Sequence, residues 1–326
     1  MELQFLGTSS GTPTKSRNVS GLALKKAAAK PWILVDCGEG TQHRILHTSL
    51  SLSRLQAICI THLHGDHCYG LPGLLASASL AGRTRALTLI GPAGLQEWLS
   101  VTLQLTQVTL SYALHFIDVT TLTDAIRLDD FKVSARPLSH RVSCFAYEFV
   151  ETGLPRKLDK DKLLAENIAS GPVWGQLQRG DTVTLADGRT VCGDDYLLAS
   201  RPPRKVVIAG DNDTPALLAD SVTSAQLLVH EATFTQKVAD QIGAGPQHSS
   251  ARTIAEFAEL AAVPNLILTH FSPRYKDGGA GLTINDIAQE ARAHYRGTLF
   301  LARDLDLYHL DYSGKLSKRS EHALTR

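Results

Sequence analysis

Between Ala57 and Gly70 the chain reads AICITHLHGDHCYG, which places His62, His64, Asp66 and His67 within six positions directly behind an apolar run. Imidazole nitrogen and carboxylate oxygen are the donors expected around zinc or a similar divalent ion, and the lack of a cysteine pair nearby argues against a structural thiolate site. His62 and His64, two apart, point the same way from an extended segment. Asp66 and His67 come after Gly65, which permits a tight turn, so they face a second point. One ion would be overloaded by all four. A non-metal reason for four polar, titratable groups immediately after a buried strand is hard to find.

The elements that must position these groups are short apolar runs, and each remaining candidate follows one. His140 comes after VSARPLS, Asp211 after VVIAG, His230 after QLLV and His270 after LILT. Residues at the carboxyl ends of several strands converge on one sheet edge in layered α/β proteins, so dispersed histidines become neighbours. Two ions sharing Asp211 then account for the set. His62, His64 and His140 hold the first, and Asp66, His67 and His270 the second. Two metals about 3.5 to 4 Å apart activate a water and stabilise a phosphoryl oxygen during in-line displacement.

Between the runs lie helical patterns such as LPGLLASASLA, PAGLQEWLSVTLQLT and TINDIAQEARAHY. This alternation predicts an α/β architecture, and consecutive runs without a helix, HFIDVTTL and FKVSARPLSH, predict antiparallel strands mixed in. From Glu151 to Pro203 the rhythm breaks into a charged helical stretch, SGPVWGQLQRG, and a hairpin turning at Asp187-Gly188, read as an inserted arm. Residues 1–150 and 204–312 then make one catalytic domain, 151–203 the arm and 313–326 a polar tail.

Lys plus Arg number 33 against 32 Asp plus Glu, so no bulk positive field advertises a nucleic-acid partner. The five cysteines, Cys37, Cys59, Cys68, Cys144 and Cys192, are odd in number and mostly sit in apolar runs, which fits reduced thiols. No apolar run is long enough to span a bilayer and the N-terminus lacks a signal-peptide pattern, so a soluble cytoplasmic protein without membrane association is expected.

The pattern His-x-His-x-Asp-His followed by isolated His, Asp and His resembles the metallo-β-lactamase superfamily. DCGEGTQ, HGDHCYGLPGLL, HEAT and HSS narrow the likeness to the ribonuclease Z group, tRNA 3′-processing endonucleases also called ribonuclease BN in some bacteria. The resemblance implies a four-layer αββα sandwich with a flexible arm gripping tRNA, a homodimer, and two Zn2+ per subunit, with Mn2+ or another divalent ion as the alternative. It implies the same seven ligands, with Asp66 as proton acceptor on the attacking water. Glu231 would orient His248, which would protonate the leaving ribose oxygen. The activity implied is zinc-dependent removal of 3′ trailers from precursor tRNA by a metal-bridging hydroxide, leaving a 3′-hydroxyl. The alternative is a di-zinc phosphodiesterase acting on small or non-tRNA diesters.

For the substrate, Arg274 and Tyr275 are expected to meet a phosphate or stack on a terminal base. Gly171, Pro172 and Arg179 mark the arm's turn and following helix, and Gly7 to Pro13 a turn lining the cleft. The chain departs from the family pattern in two places. Asn212 and Asp213 follow the bridging aspartate where a threonine is usual, and Trp174, Gln176 and Gln178 surround the arm's turn in place of basic residues.

Overall fold

Apolar runs that read continuously in the sequence become strands covered on both faces. The computed structural model describes residues 1–154, 156–198 and 201–319. Six strands open the first sheet: β1 (Glu2–Gly7), β2 (Gly21–Lys25), β3 (Trp32–Val35), β4 (Leu55–Cys59), β5 (Leu87–Gly91) and β6 (Leu114–Asp118). The second sheet takes β7 (Ile126–Arg127), β8 (Phe131–Leu138) and β9 (Cys144–Glu151). A short separate hairpin, β10 (Thr182–Thr184) and β11 (Thr190–Cys192), intervenes. The second sheet resumes with β12 (Lys205–Ala209), β13 (Leu227–Glu231), β14 (Asn265–Thr269) and β15 (Thr298–Leu301). β16 (Leu307–Leu310) and β17 (Leu316–Lys318) return to the first.

The first sheet runs β17-β16-β1-β2-β3-β4-β5-β6 and the second β15-β14-β13-β12-β9-β8-β7. Each is parallel on one side, β3 to β6 and β12 to β15, and antiparallel on the other. The period of two along a strand divides the core. Ile33, Val35, Phe5 and Leu3 of the first sheet meet Tyr147, Val206, Val229 and Ile267 of the second in one buried layer. The alternate residues Leu34, Ile58 and Leu89 face outward onto the helices Leu71–Leu80 and Leu95–Leu105. On the far side Val207, Leu228 and Leu268 pack under the helices Ala251–Leu260 and Ile284–His294. The result is helix, sheet, sheet, helix, the architecture expected from the sequence, and burial on both faces is why the strands carry no polar alternation.

Contacts divide the chain into two compact units, Met1–Val150 with Arg204–Arg326, and Glu151–Pro203. The second unit has its own small core of Leu163, Ile168, Leu177 and Tyr196. The tail read from residue 313 differs from expectation. Leu316–Lys318 pairs with β16, and Leu316 is buried in the inter-sheet core. Polarity along Lys315 to Arg319 hid the one apolar side chain, Leu316, that reaches the core. Residues 320–326 of that tail lie outside the described residues.

Candidate metal centre

Five of the seven proposed ligands sit just past the end of a strand. His62 and His64 follow β4, His140 follows β8, Asp211 follows β12 and His270 follows β14, while Asp66 and His67 occupy a four-residue helix, Gly65–Cys68. Gly210 lets β12 approach, because a Cβ there would come 2.6 Å from Cys144 Sγ and 2.7 Å from Thr61 Cβ. His270 adopts φ 57°, as do Asp36 at 59° and Gln247 at 54°, and all three touch or include ligands. Left-handed backbone at non-glycine residues is held only where surrounding structure enforces it.

The donors fall into two groups. In the first, His62 Nε2 and His140 Nε2 each lie 3.1 Å from His64 Nδ1, and each is 3.7 Å from Asp211 Oδ2. In the second, His270 Nε2 lies 3.2 Å from His67 Nε2 and 3.3 Å from Asp66 Oδ2, with Asp211 Oδ1 3.5 and 3.4 Å from the two rings. Donors held about 2.0–2.1 Å from a tetrahedral ion stand about 3.3 Å apart, so both groups have the spacing of an ion's ligand shell. Asp211 turns one oxygen to each.

The other ring nitrogens explain why these faces converge. His62 Nδ1 lies 3.0 Å from Thr61 Oγ1, His67 Nδ1 2.7 Å from Asp36 Oδ2, His140 Nδ1 3.0 Å from the Gln247 carbonyl and His270 Nδ1 3.0 Å from Thr233 Oγ1. Partners of this kind fix the tautomer of a metal-ligating imidazole. Burial and the neighbouring imidazoles push His62 well below its ordinary pKa, toward the neutral form a metal needs. Burial would lower His67 too, but the carboxylates of Asp211, Asp36 and Asp66 raise it to about 10. That excess of negative charge is what a cation would neutralise, so the residues fit a metal pair. Asp36, Thr61 and Thr233 were not singled out from the sequence. The signals were their places in the motif strings: Asp36 opens DCGEGTQ, Thr61 directly precedes His62 and Thr233 closes HEAT.

Glu231 and His248 meet beside the ligands. His248 Nδ1 lies 3.0 Å from Glu231 Oε1, an oxygen that also accepts the Asn212 amide at 2.7 Å, while Thr233 donates its hydroxyl to Oε2. Burial alone would raise Glu231 and lower His248, yet their mutual attraction moves both the other way, which is an ion pair. His248 precedes the helix Ala251–Leu260, capped by Ser250, whose side chain accepts from Thr253 N. Asn212, at the first departure, is fully buried. Its Oδ1 accepts from Ser139 N and Thr214 N, and its Nδ2 faces His230 Nε2 at 3.2 Å. The asparagine thus ties the loop that follows Asp211 to Ser139, Thr214 and His230.

A cleft of about 320 Å3 opens on the site, lined among others by Ser10, Gly11, Tyr69, Arg141 and His248. The Gly11 amide donates to Asp66 Oδ2 at 2.7 Å, which sets the Gly7 to Pro13 turn against the ligands. Arg274 is exposed, its guanidinium 6.0 Å from the Phe234 ring. Tyr275 corrects the expectation of a stacking residue. It is 3% exposed and its hydroxyl accepts from Thr235 N at 2.7 Å, so the helix-side core claims the ring. Arg141 and Tyr69, both exposed, were missed as cleft residues.

Within the second unit, Gly171 and Pro172 are exposed at the start of the helix Pro172–Arg179. Arg179 pairs with Asp181 at 3.0 Å and Arg156 with Asp194 at 2.9 Å. Trp174 donates its indole N–H to the Ile168 carbonyl at 3.1 Å and packs on the unit's core.

Two mixed sheets between helix layers, with histidine and carboxylate ligands gathered at the strand ends, define a metallo-β-lactamase-fold protein. A metallo-beta-lactamase fold protein of Bacillus subtilis, YhfI, shares this fold at TM-score 0.64 and 18% identity, covering 94% of this chain and 97% of that one. The short form of human tRNase Z superposes at TM-score 0.64 with 25% identity over 95% of this chain and 100% of that one. A family model described as Anti-Pycsar protein Apyc1 matches residues 1–148. A Ribonuclease Z of Marinobacter nauticus is 50% identical over 319 residues, 98% of this chain and 99% of that protein. The chain belongs to the ribonuclease Z family.

Proposed function

We propose that this chain is the endoribonuclease that cuts 3′ trailers from precursor tRNA and leaves a 3′-hydroxyl on the tRNA. The observation that carries the reading is the Glu231–His248 pair standing beside a double ligand set whose two halves share Asp211. Family membership supplies the tRNA substrate class.

His62, His64, His140 and Asp211 would hold one divalent ion, and Asp66, His67, His270 and Asp211 the other. The donor set favours zinc. Ions there would supply charge to the phosphoryl oxygens and lower the pKa of the attacking water. Asp66, oriented by the Gly11 amide, accepts a proton from that water. As the new P–O bond forms, the bond to the ribose 3′ oxygen breaks and the trailer departs with a 5′-phosphate. A free 3′ alkoxide is a poor leaving group. With Nδ1 donating to Glu231, His248 has Nε2 to deliver a proton to it. One subunit's arm holding the tRNA cut by the other, in a homodimer, belongs to the same proposal. Among the described residues no helix is long and apolar enough to cross a membrane, and the five cysteines are free, which supports a cytoplasmic site of action.

The test is to incubate metal-analysed protein with a 3′-extended precursor tRNA and map the ends, alongside Asp66→Ala. Cleavage past the discriminator base, lost in the variant, with two zinc ions per subunit, is the expected result. One observation favours the second reading, a phosphodiesterase for small diesters. Residues 151–203 carry seven basic against eight acidic side chains, and the arginines Arg156, Arg179, Arg189 and Arg201 are each ion-paired. Hydrolysis of bis(p-nitrophenyl) phosphate with the tRNA left whole would establish that reading instead. A protein that sediments as a monomer at working concentration and still cleaves tRNA at full rate would remove the dimer.

A further inference from the structure

Tyr275 is buried, whereas Tyr69 lines the cleft beside His64, His248 and His270. Tyr69 follows the proposed ligand His67 by two residues and is 59% exposed. Two neighbours nevertheless fix its ring. A Cβ at Gly65 would come 2.3 Å from Tyr69 Cε2, so the ring lies against the Gly65 backbone, one residue before Asp66. On another side Trp98 stacks with it, centroids 6.4 Å apart and planes 27° from parallel. Trp98 is itself packed on the buried layer beneath the helix Leu95–Leu105. An exposed aromatic held in place at the mouth of a phosphodiester site has the chemistry of a base platform, since stacking on an aromatic face is how single-stranded nucleotides are bound without sequence readout. Arg141 on the same cleft offers a cation to the adjoining phosphates.

We propose that Tyr69 is the stacking platform for the unpaired nucleobase next to the scissile phosphate. The proposal rests on the reading of the site as an RNA-cleaving centre and adds how that RNA is positioned there. Stacking acts on bound substrate and transition state alike, so its loss falls on KM.

The experiment uses the full-length metal-loaded protein with precursor tRNA bearing 2-aminopurine on either side of the cleavage site. Fluorescence is read on rapid mixing before turnover, and KM and kcat in the steady state. Wild-type protein quenches one of the two probes. Tyr69→Leu loses that quench and raises KM about ten- to a hundredfold, with metal content and thermal midpoint retained, whereas Tyr69→Phe keeps both quench and KM. Cleavage by wild type with an unchanged quench and KM in Tyr69→Leu overturns the platform alone. A wild-type protein that leaves the tRNA whole overturns the platform together with the reading beneath it.

Discussion

Asp36 Oδ2 lies 2.7 Å from Nδ1 of His67, and the same carboxylate accepts the backbone N–H of Thr61 at 2.8 Å and its hydroxyl. Thr61 Oγ1 in turn meets His62 Nδ1. One buried acid thus orients a proposed ligand in each of the two donor groups. Asp36→Asn keeps the left-handed backbone, which asparagine tolerates, and removes the charge. Metal affinity is expected to fall about ten- to a hundredfold. Competition with a chelator measures it, and an unchanged affinity would refute the orienting role.

His248→Ala removes the proposed proton donor without removing an assigned ligand. The expected loss is about 10²- to 10⁴-fold in kcat on precursor tRNA. Bis(p-nitrophenyl) phosphate releases a weakly basic phenolate that needs little protonation, so its hydrolysis falls much less. Equal losses on both substrates would count against proton donation.

Removing the ions tests the double ligand set. A chelator should abolish cleavage and lower the thermal midpoint, because ligand at a hundred times Kd stabilises the native state by about 2.7 kcal/mol. Zinc should restore both. Activity that survives exhaustive chelation, with metal content verified as nil, would end the metal reading.

Arg141 is an exposed cation on the cleft with phosphate contact as its assigned use. Arg141→Ala should weaken precursor tRNA binding and reduce the slope of log K against log salt by about one. A slope equal to wild type would place Arg141 off the RNA path.

Glu148 of β9 bridges the second sheet. Lys205 Nζ lies 2.8 Å from Oε2 and Arg136 Nε 2.8 Å from Oε1, with Ser221 donating to Oε1 at 3.0 Å. Burial would raise its pKa, but these bonds hold it below the ordinary 4.5. A lowered folded value means stability fully present above the unfolded pKa and lost as pH falls through the folded one. Glu148→Gln should cost about 1–3 kcal/mol at pH 7 and flatten the acid limb below about pH 4.3. Urea unfolding at pH 7 and pH 4 reads this, and parallel wild-type and variant curves would show the bridge to be idle.

Local sequence carried the ligands because their spacing is itself local. His62, His64, Asp66 and His67 lie within six positions, and an apolar run before each distant ligand marked a strand end. Side-chain partners across the sheets were not legible in this way. Thr233 reaches His270 across 37 positions and Asp36 reaches His67 across 31, and although they close HEAT and open DCGEGTQ, neither string says which histidine its residue contacts.

The sequence by itself determined the layered α/β fold and the two candidate donor groups, since hydrophobic periodicity and donor type are written residue by residue, whereas the Glu231–His248 pair was legible only through the likeness of HEAT and HSS to the ribonuclease Z family. Tertiary structure alone decided exposure. Tyr275 and Tyr69 are the same residue type, each a short way beyond a ligand, yet one is folded under the helix Ile284–His294 and the other is turned to the cleft. Which side of a loop is covered depends on what packs against it from elsewhere in the chain, and in this fold those partners are Thr235 for Tyr275 and Trp98 for Tyr69.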